Sequence, residues 1–169
     1  MIKYLFVFIF IFTFAWFDKS IGYTNSSPLY THFTYMFQHA GIIHLVINSL
    51  SFLGMFRTME KYINKWLLSG VCILFAFLTS FFSSYNIPTV GASAMIYIMI
   101  GMFLSITLLY KDVKINDKRK YFLFVFSVFI SLIVSAFRHN SNFSLHILSL
   151  LSGVLIGTIF SIKHNLFEC

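Results

Sequence analysis

Six apolar stretches follow one another along the chain, at about residues 2–17, 38–56, 65–84, 92–110, 120–137 and 144–162. Each is long enough, alone or with its flanks, to cross about 30 Å of hydrocarbon, a span that takes roughly 20 helical residues. The pattern predicts an all-α integral membrane protein with six transmembrane helices, of which the first and fifth are short. Between them lie residues that end helices: Asp18 to Pro28, Asn86-Ile87-Pro88, Asn116-Asp117, and Arg138-His139-Asn140-Ser141-Asn142. The first stretch, Ile2 to Phe17 behind Lys3, has features of a secretory signal. No small-x-small cleavage site follows it, because the sequence continues Phe14-Ala15-Trp16-Phe17-Asp18. A retained helix is therefore expected.

Composition agrees with that pattern. The chain is 59% hydrophobic and 10% charged over 169 residues, whereas soluble domains carry about 25% charged residues. One membrane domain over 1–169 is expected, with no second soluble domain. The 23 phenylalanines read as lipid-facing surface. The net charge of +7 does not call for nucleic acid, since the basic residues sit in short runs between apolar stretches. One set of ends holds Lys3, Arg57, Lys61, Lys65, Lys111, Lys114, Lys118, Arg119, Lys120 and Lys163; the other holds only Lys19 and Arg138. The positive-inside rule then puts both termini and the 57–65 and 111–120 loops in the cytoplasm, and the 18–37, 85–91 and 138–143 loops outside. Cys72 lies within an apolar stretch and Cys169 is terminal, so no disulfide framework is expected, and cysteine usage says nothing of compartment.

Isolated polar residues inside apolar segments carry the functional signal, because a polar group in the bilayer is costly. They are His39, His44 and Asn48 in the second stretch, Ser93 in Gly91-Ala92-Ser93-Ala94, and His146 in the sixth. The second, fourth and sixth helices all enter from outside. With a rise of about 1.5 Å per residue, His44, Asn48, Ser93 and His146 fall at one depth, in the outer part of the membrane. A serine hydroxyl becomes a nucleophile when a base takes its proton, and His146 is the base at that depth. The five carboxylates, Asp18, Glu60, Asp112, Asp117 and Glu168, all lie elsewhere, so the expectation is a Ser–His dyad without an acidic third member. Tyr97, four residues after Ser93, shares its helix face and is placed to pack on His146. Gly101 continues that side. Gly153 and Gly157 stand seven and eleven residues after His146, with Ser149 at plus three, and small residues let helices approach closely. His44 and Asn48, four apart, share a face and offer donors to a developing oxyanion, beside the backbone N–H of Ser93. His39 projects elsewhere and reads as structural, tying the outer loop to the second helix.

Taken singly, each residue has an ordinary explanation. A membrane-helix serine usually bonds back to its own helix, a buried histidine is usually structural, and glycines show only that helices pack. His39 and His44 as metal ligands would want a carboxylate nearby or an H-E-x-x-H motif, and neither is present. No metal and no cofactor is expected. His32, His139 and His164 sit at loops or ends. Only the conjunction of the four residues at one depth carries chemistry.

That conjunction resembles the rhomboid family of intramembrane serine proteases. The matching elements are His39-x-x-x-x-His44-x-x-x-Asn48, Gly91-x-Ser93, Tyr97, Gly101, and His146 followed by Gly153 and Gly157. The segment Gly54-Met55-Phe56-Arg57-Thr58-Met59-Glu60-Lys61-Tyr62 is similar to the Gly…Glu region that ends the second helix there. The resemblance spans about residues 28–163. It implies a six-helix rhomboid-like bundle, Ser93 as nucleophile, His146 as base, and an oxyanion site from His44, Asn48 and the Ser93 N–H. It also implies single-span transmembrane proteins as substrates, cut near the outer membrane boundary. Ala94 and Ser149 depart from the pattern, standing where glycine is common. An inactive rhomboid-like protein that binds membrane proteins is the alternative, but such members typically lack the serine or the histidine. A small transporter or channel would want paired charges within the helices. The expected location is a bacterial inner membrane, with the site opening outward.

Overall fold

The computed structural model describes residues 1–83, 86–109, 117–139 and 141–167, with side chains as far as residue 162. Helix ends expected at Ser84 and Tyr110 lie outside the described residues, as do Lys111, Lys114 and Asp112 of the basic loop, Asn140, Glu168 and Cys169. Among the described residues the chain forms seven α-helices: α1 (Ile2–Trp16), α2 (Thr31–Thr34), α3 (Ile42–Met59), α4 (Lys65–Ser80), α5 (Ser93–Leu109), α6 (Lys118–Phe137) and α7 (Phe143–Phe167). Three of them, α3, α6 and Phe143–Ile162 of α7, are long and apolar enough to cross a membrane; α1, α4 and α5 are shorter apolar helices. The protein is an all-α integral membrane protein.

Several boundaries differ from expectation; α3 runs on to Met59 and α7 to Phe167, beyond residues 56 and 162. The second apolar stretch becomes helical only at Ile42, not at residue 38, so His39 precedes the helix. The preceding segment is committed elsewhere: Gln38 Nε2 donates to the carbonyls of Phe17 and Asp18, and its Oε1 accepts the His39 N–H at 2.8 Å. The third stretch ends at Ser80. The 18–37 loop also contains a 3-10 turn (Lys19–Ile21) and the short helix α2, which composition did not reveal.

Helix α5 forms the centre of the bundle, with residues buried on all its sides from Ala94 to Met102. It packs most extensively on α7. The cause is glycine: a Cβ added at Gly101 would lie 2.2 Å from Leu150 O, one at Gly153 2.1 Å from Ile98 O, and one at Gly157 2.7 Å from Met102 O. The two backbones touch, as small residues in membrane helices allow. Ser105 Oγ adds a bond to Val154 O at 2.9 Å. Helix α1 joins through aromatic packing, with Phe6 and Phe10 against Phe37, Phe52 and Phe56, and through an ion pair from Lys3 to Glu60. Helix α6 is the least embedded. Only Val128 and Ser135 of its twenty residues are buried, while Phe122, Phe126, Phe129 and Phe137 face outward.

Candidate active site

The start of α5 is set by the chain before it. The Thr89 N–H bonds Tyr23 O and the Gly91 N–H bonds Tyr35 O, both at 2.9 Å. Gly91 sits at φ +129, the region that favours glycine. An added Cβ there would also meet the His44 ring at 2.8 Å and Asn48 Nδ2 at 3.2 Å. The strap thus turns into α5 at Ser93, with His44 and Asn48 of α3 directly against it. The N–H groups of the first turn of α5 have no carbonyl four residues back to bond.

The start of α7 is set by Asn142, whose Oδ1 accepts the Leu145 N–H at 3.1 Å. Its Nδ2 donates to Tyr23 Oη at 2.9 Å and to Thr89 Oγ1 at 3.1 Å. Tyr23 in turn bonds Ser83 Oγ. Burial pushes the Tyr23 phenol up to about 12, so it stays a donor. One asparagine therefore links the strap before α5 to the first turn of α7. His146 follows directly after Leu145, and its N–H bonds Asn142 O at 3.3 Å.

The two helices bring Ser93 and His146 together: His146 Nε2 lies 2.9 Å from Ser93 Oγ. The Tyr97 ring packs on the imidazole, with centroids 4.6 Å apart, and Tyr97 Oη bonds Ser131 Oγ of α6 at 2.9 Å. The far side of the imidazole, Nδ1, lies 2.7 Å from Ser135 Oγ. Sequence reasoning missed Ser135. His44 Nδ1 accepts the Ala40 N–H at 3.3 Å, which leaves the proton on Nε2 and makes that atom a donor. Asn48 Nδ2 is buried and has no acceptor among the described residues. Ser93, His146, His44, Asn48, Tyr97 and Ser135 all line one cavity of about 1000 Å³ between α3, α5 and α6.

His39 lies behind this group and outside that cavity. Its ring packs between Phe10 and His44, with centroids at 5.2 and 5.3 Å. Ala94 is fully buried. Ser149 is also fully buried, and its hydroxyl lies 3.4 Å from Thr79 Oγ1 of α4. This serine faces α4 instead of the α5 contact that the glycines make.

The fold and site define an all-α membrane protein in which a serine and a histidine from two touching helices meet inside an apolar wall. Residues 26–163 match the family profile described as Rhomboid domain, and the chain belongs to the rhomboid family. No curated protein matches the chain.

Proposed function

We propose that the protein is an intramembrane serine endopeptidase that cuts single-span transmembrane proteins near the outer membrane boundary. The observation that carries this reading is the 2.9 Å contact between His146 Nε2 and Ser93 Oγ, facing a cavity that also holds the donors of His44 and Asn48. Ser93 Oγ attacks the peptide carbonyl carbon while His146 Nε2 takes its proton. The oxygen becomes negative and is met by Asn48 Nδ2, His44 Nε2–H and the Ser93 N–H. As the C–N bond breaks, His146 returns the proton to the leaving amine, releasing one fragment. Water, deprotonated by His146, then hydrolyses the acyl-serine and frees the second fragment. Asn48 supports this role because its buried Nδ2 has no acceptor among the described residues, a costly state unless a ligand uses it.

All six apolar helices cross the membrane in this reading, with both termini cytoplasmic and the site opening outward; the ten-to-two basic asymmetry supports that orientation. The membrane is a bacterial inner membrane. The test is cleavage of a single-span reporter substrate in proteoliposomes. Ser93→Ala and His146→Ala should each abolish it while leaving expression and folding intact. Cleavage near the wild-type rate in either variant would remove the dyad assignment.

A further inference from the structure

The dyad is one part of a longer chain of contacts. Ser93 Oγ meets His146 Nε2 at 2.9 Å, His146 Nδ1 meets Ser135 Oγ at 2.7 Å, and Ser135 Oγ meets Ser141 Oγ at 2.6 Å. The geometry points to Ser135 as a positioning residue for His146. Its hydroxyl accepts the Nδ1 proton and so holds the tautomer whose Nε2 is free to receive the proton of Ser93. This inference rests on the protease reading above.

The donor directions are consistent along the chain. If Ser93 donates to Nε2, the neutral imidazole carries its proton on Nδ1 and must donate it. Ser135 Oγ accepts that proton and passes its own to Ser141. When Nε2 takes the Ser93 proton, the imidazole becomes positive and its bond to Ser135 becomes charge-assisted, which strengthens it as charge develops. A carboxylate usually fills this place in serine hydrolases, and the described carboxylates are engaged elsewhere: Asp18 with the Ser20 N–H, Glu60 with Lys3, and Asp117 with Lys120.

Ser135 also differs from its neighbours on α6. Ser127 and Ser131 stand eight and four residues before it on the same face, and both donate to carbonyls three residues back, at 2.7 and 2.8 Å. That is the ordinary use of a serine in a membrane helix, although Ser131 Oγ also meets Tyr97 Oη. The Ser135 contacts run to His146 of α7 and to Ser141, two residues before that helix. Ser135 is, with Val128, one of only two buried residues on α6. The orientation of the imidazole thus depends on α6 being seated against α7.

The test is steady-state cleavage of the reporter substrate by Ser135→Ala and Ser135→Thr, with unfolding midpoints in detergent. Ser135→Ala should lower kcat by about ten- to a hundredfold, the rate equivalent of one hydrogen bond to a group that becomes charged. KM and the unfolding midpoint should hold. Ser135→Thr, which keeps the hydroxyl, should recover most of kcat. A lowered midpoint in both variants with no recovery by threonine would make Ser135 a packing residue and overturn the proposal. Wild-type kcat in Ser135→Ala would also overturn it, provided Ser93→Ala and His146→Ala are inactive. If those two variants remain active, the protease reading itself fails.

Discussion

Substituting Gly153 by alanine should damage the site from a distance. The new Cβ would lie 2.1 Å from Ile98 O, where ordinary contact begins near 3.4 Å. The obstacle is backbone, so no rotamer change relieves it. The helices must separate by about 1.3 Å at that level, at a cost of about 1–3 kcal/mol for overpacking. Gly153 is seven residues after His146 on α7, and Ile98 is five after Ser93 on α5. If even two-thirds of that displacement reaches the starts of the two helices, the 2.9 Å contact between Ser93 and His146 opens to nearly 4 Å, too far for a hydrogen bond. Loss of base assistance costs about a hundredfold or more in rate. Turnover in proteoliposomes and thermal unfolding in detergent measure the two effects. Gly70→Ala is the control, since a Cβ there meets nothing within 4 Å. Wild-type turnover and midpoint in Gly153→Ala would refute the claim that backbone contact between α5 and α7 sets the dyad distance.

Gly91→Ala should cost turnover more than stability, because the residue needs φ +129 and its Cβ would push on the His44 ring and Asn48; a functional Gly91→Ala enzyme would contradict this. Asn48→Ala should lower turnover, by up to about a hundred- to a thousandfold for loss of one oxyanion donor, while Ser93 still acylates. His39→Ala should act through the unfolding midpoint, since its ring fills the space between Phe10 and His44. If the effects of Asn48→Ala and His39→Ala are exchanged, the two roles are reversed. A reporter fused after Cys169 should report cytoplasm and one inserted near Ser26 the exterior; an external C-terminus would invert the orientation.

The all-α membrane class and the meeting of α5 with α7 were legible in the sequence, because apolar length and glycine spacing act along one helix at a time. The places of Ser93 and His146 were legible for the same reason: each lies near the start of its helix. The start of α3 was not. Residues 38–41 are held by Gln38 reaching back to carbonyls about twenty positions earlier, and local apolarity cannot show that. Ser135 was hidden as well. It resembles Ser127 and Ser131 in spacing, and only the placement of α6 beside α7 separates a back-bonding serine from one that meets an imidazole. Ser149 is a related case, since spacing put it near the glycine face while its hydroxyl meets Thr79 on α4.

The central claim is that Ser93 is an activated nucleophile. Labelling of the purified protein with a serine-directed fluorophosphonate tests it most directly, with the modified residue located by peptide mass spectrometry. Covalent modification at Ser93, lost in Ser93→Ala and suppressed in His146→Ala, is the predicted result. A folded wild-type protein that does not label, or that labels equally well in Ser93→Ala, would contradict the account.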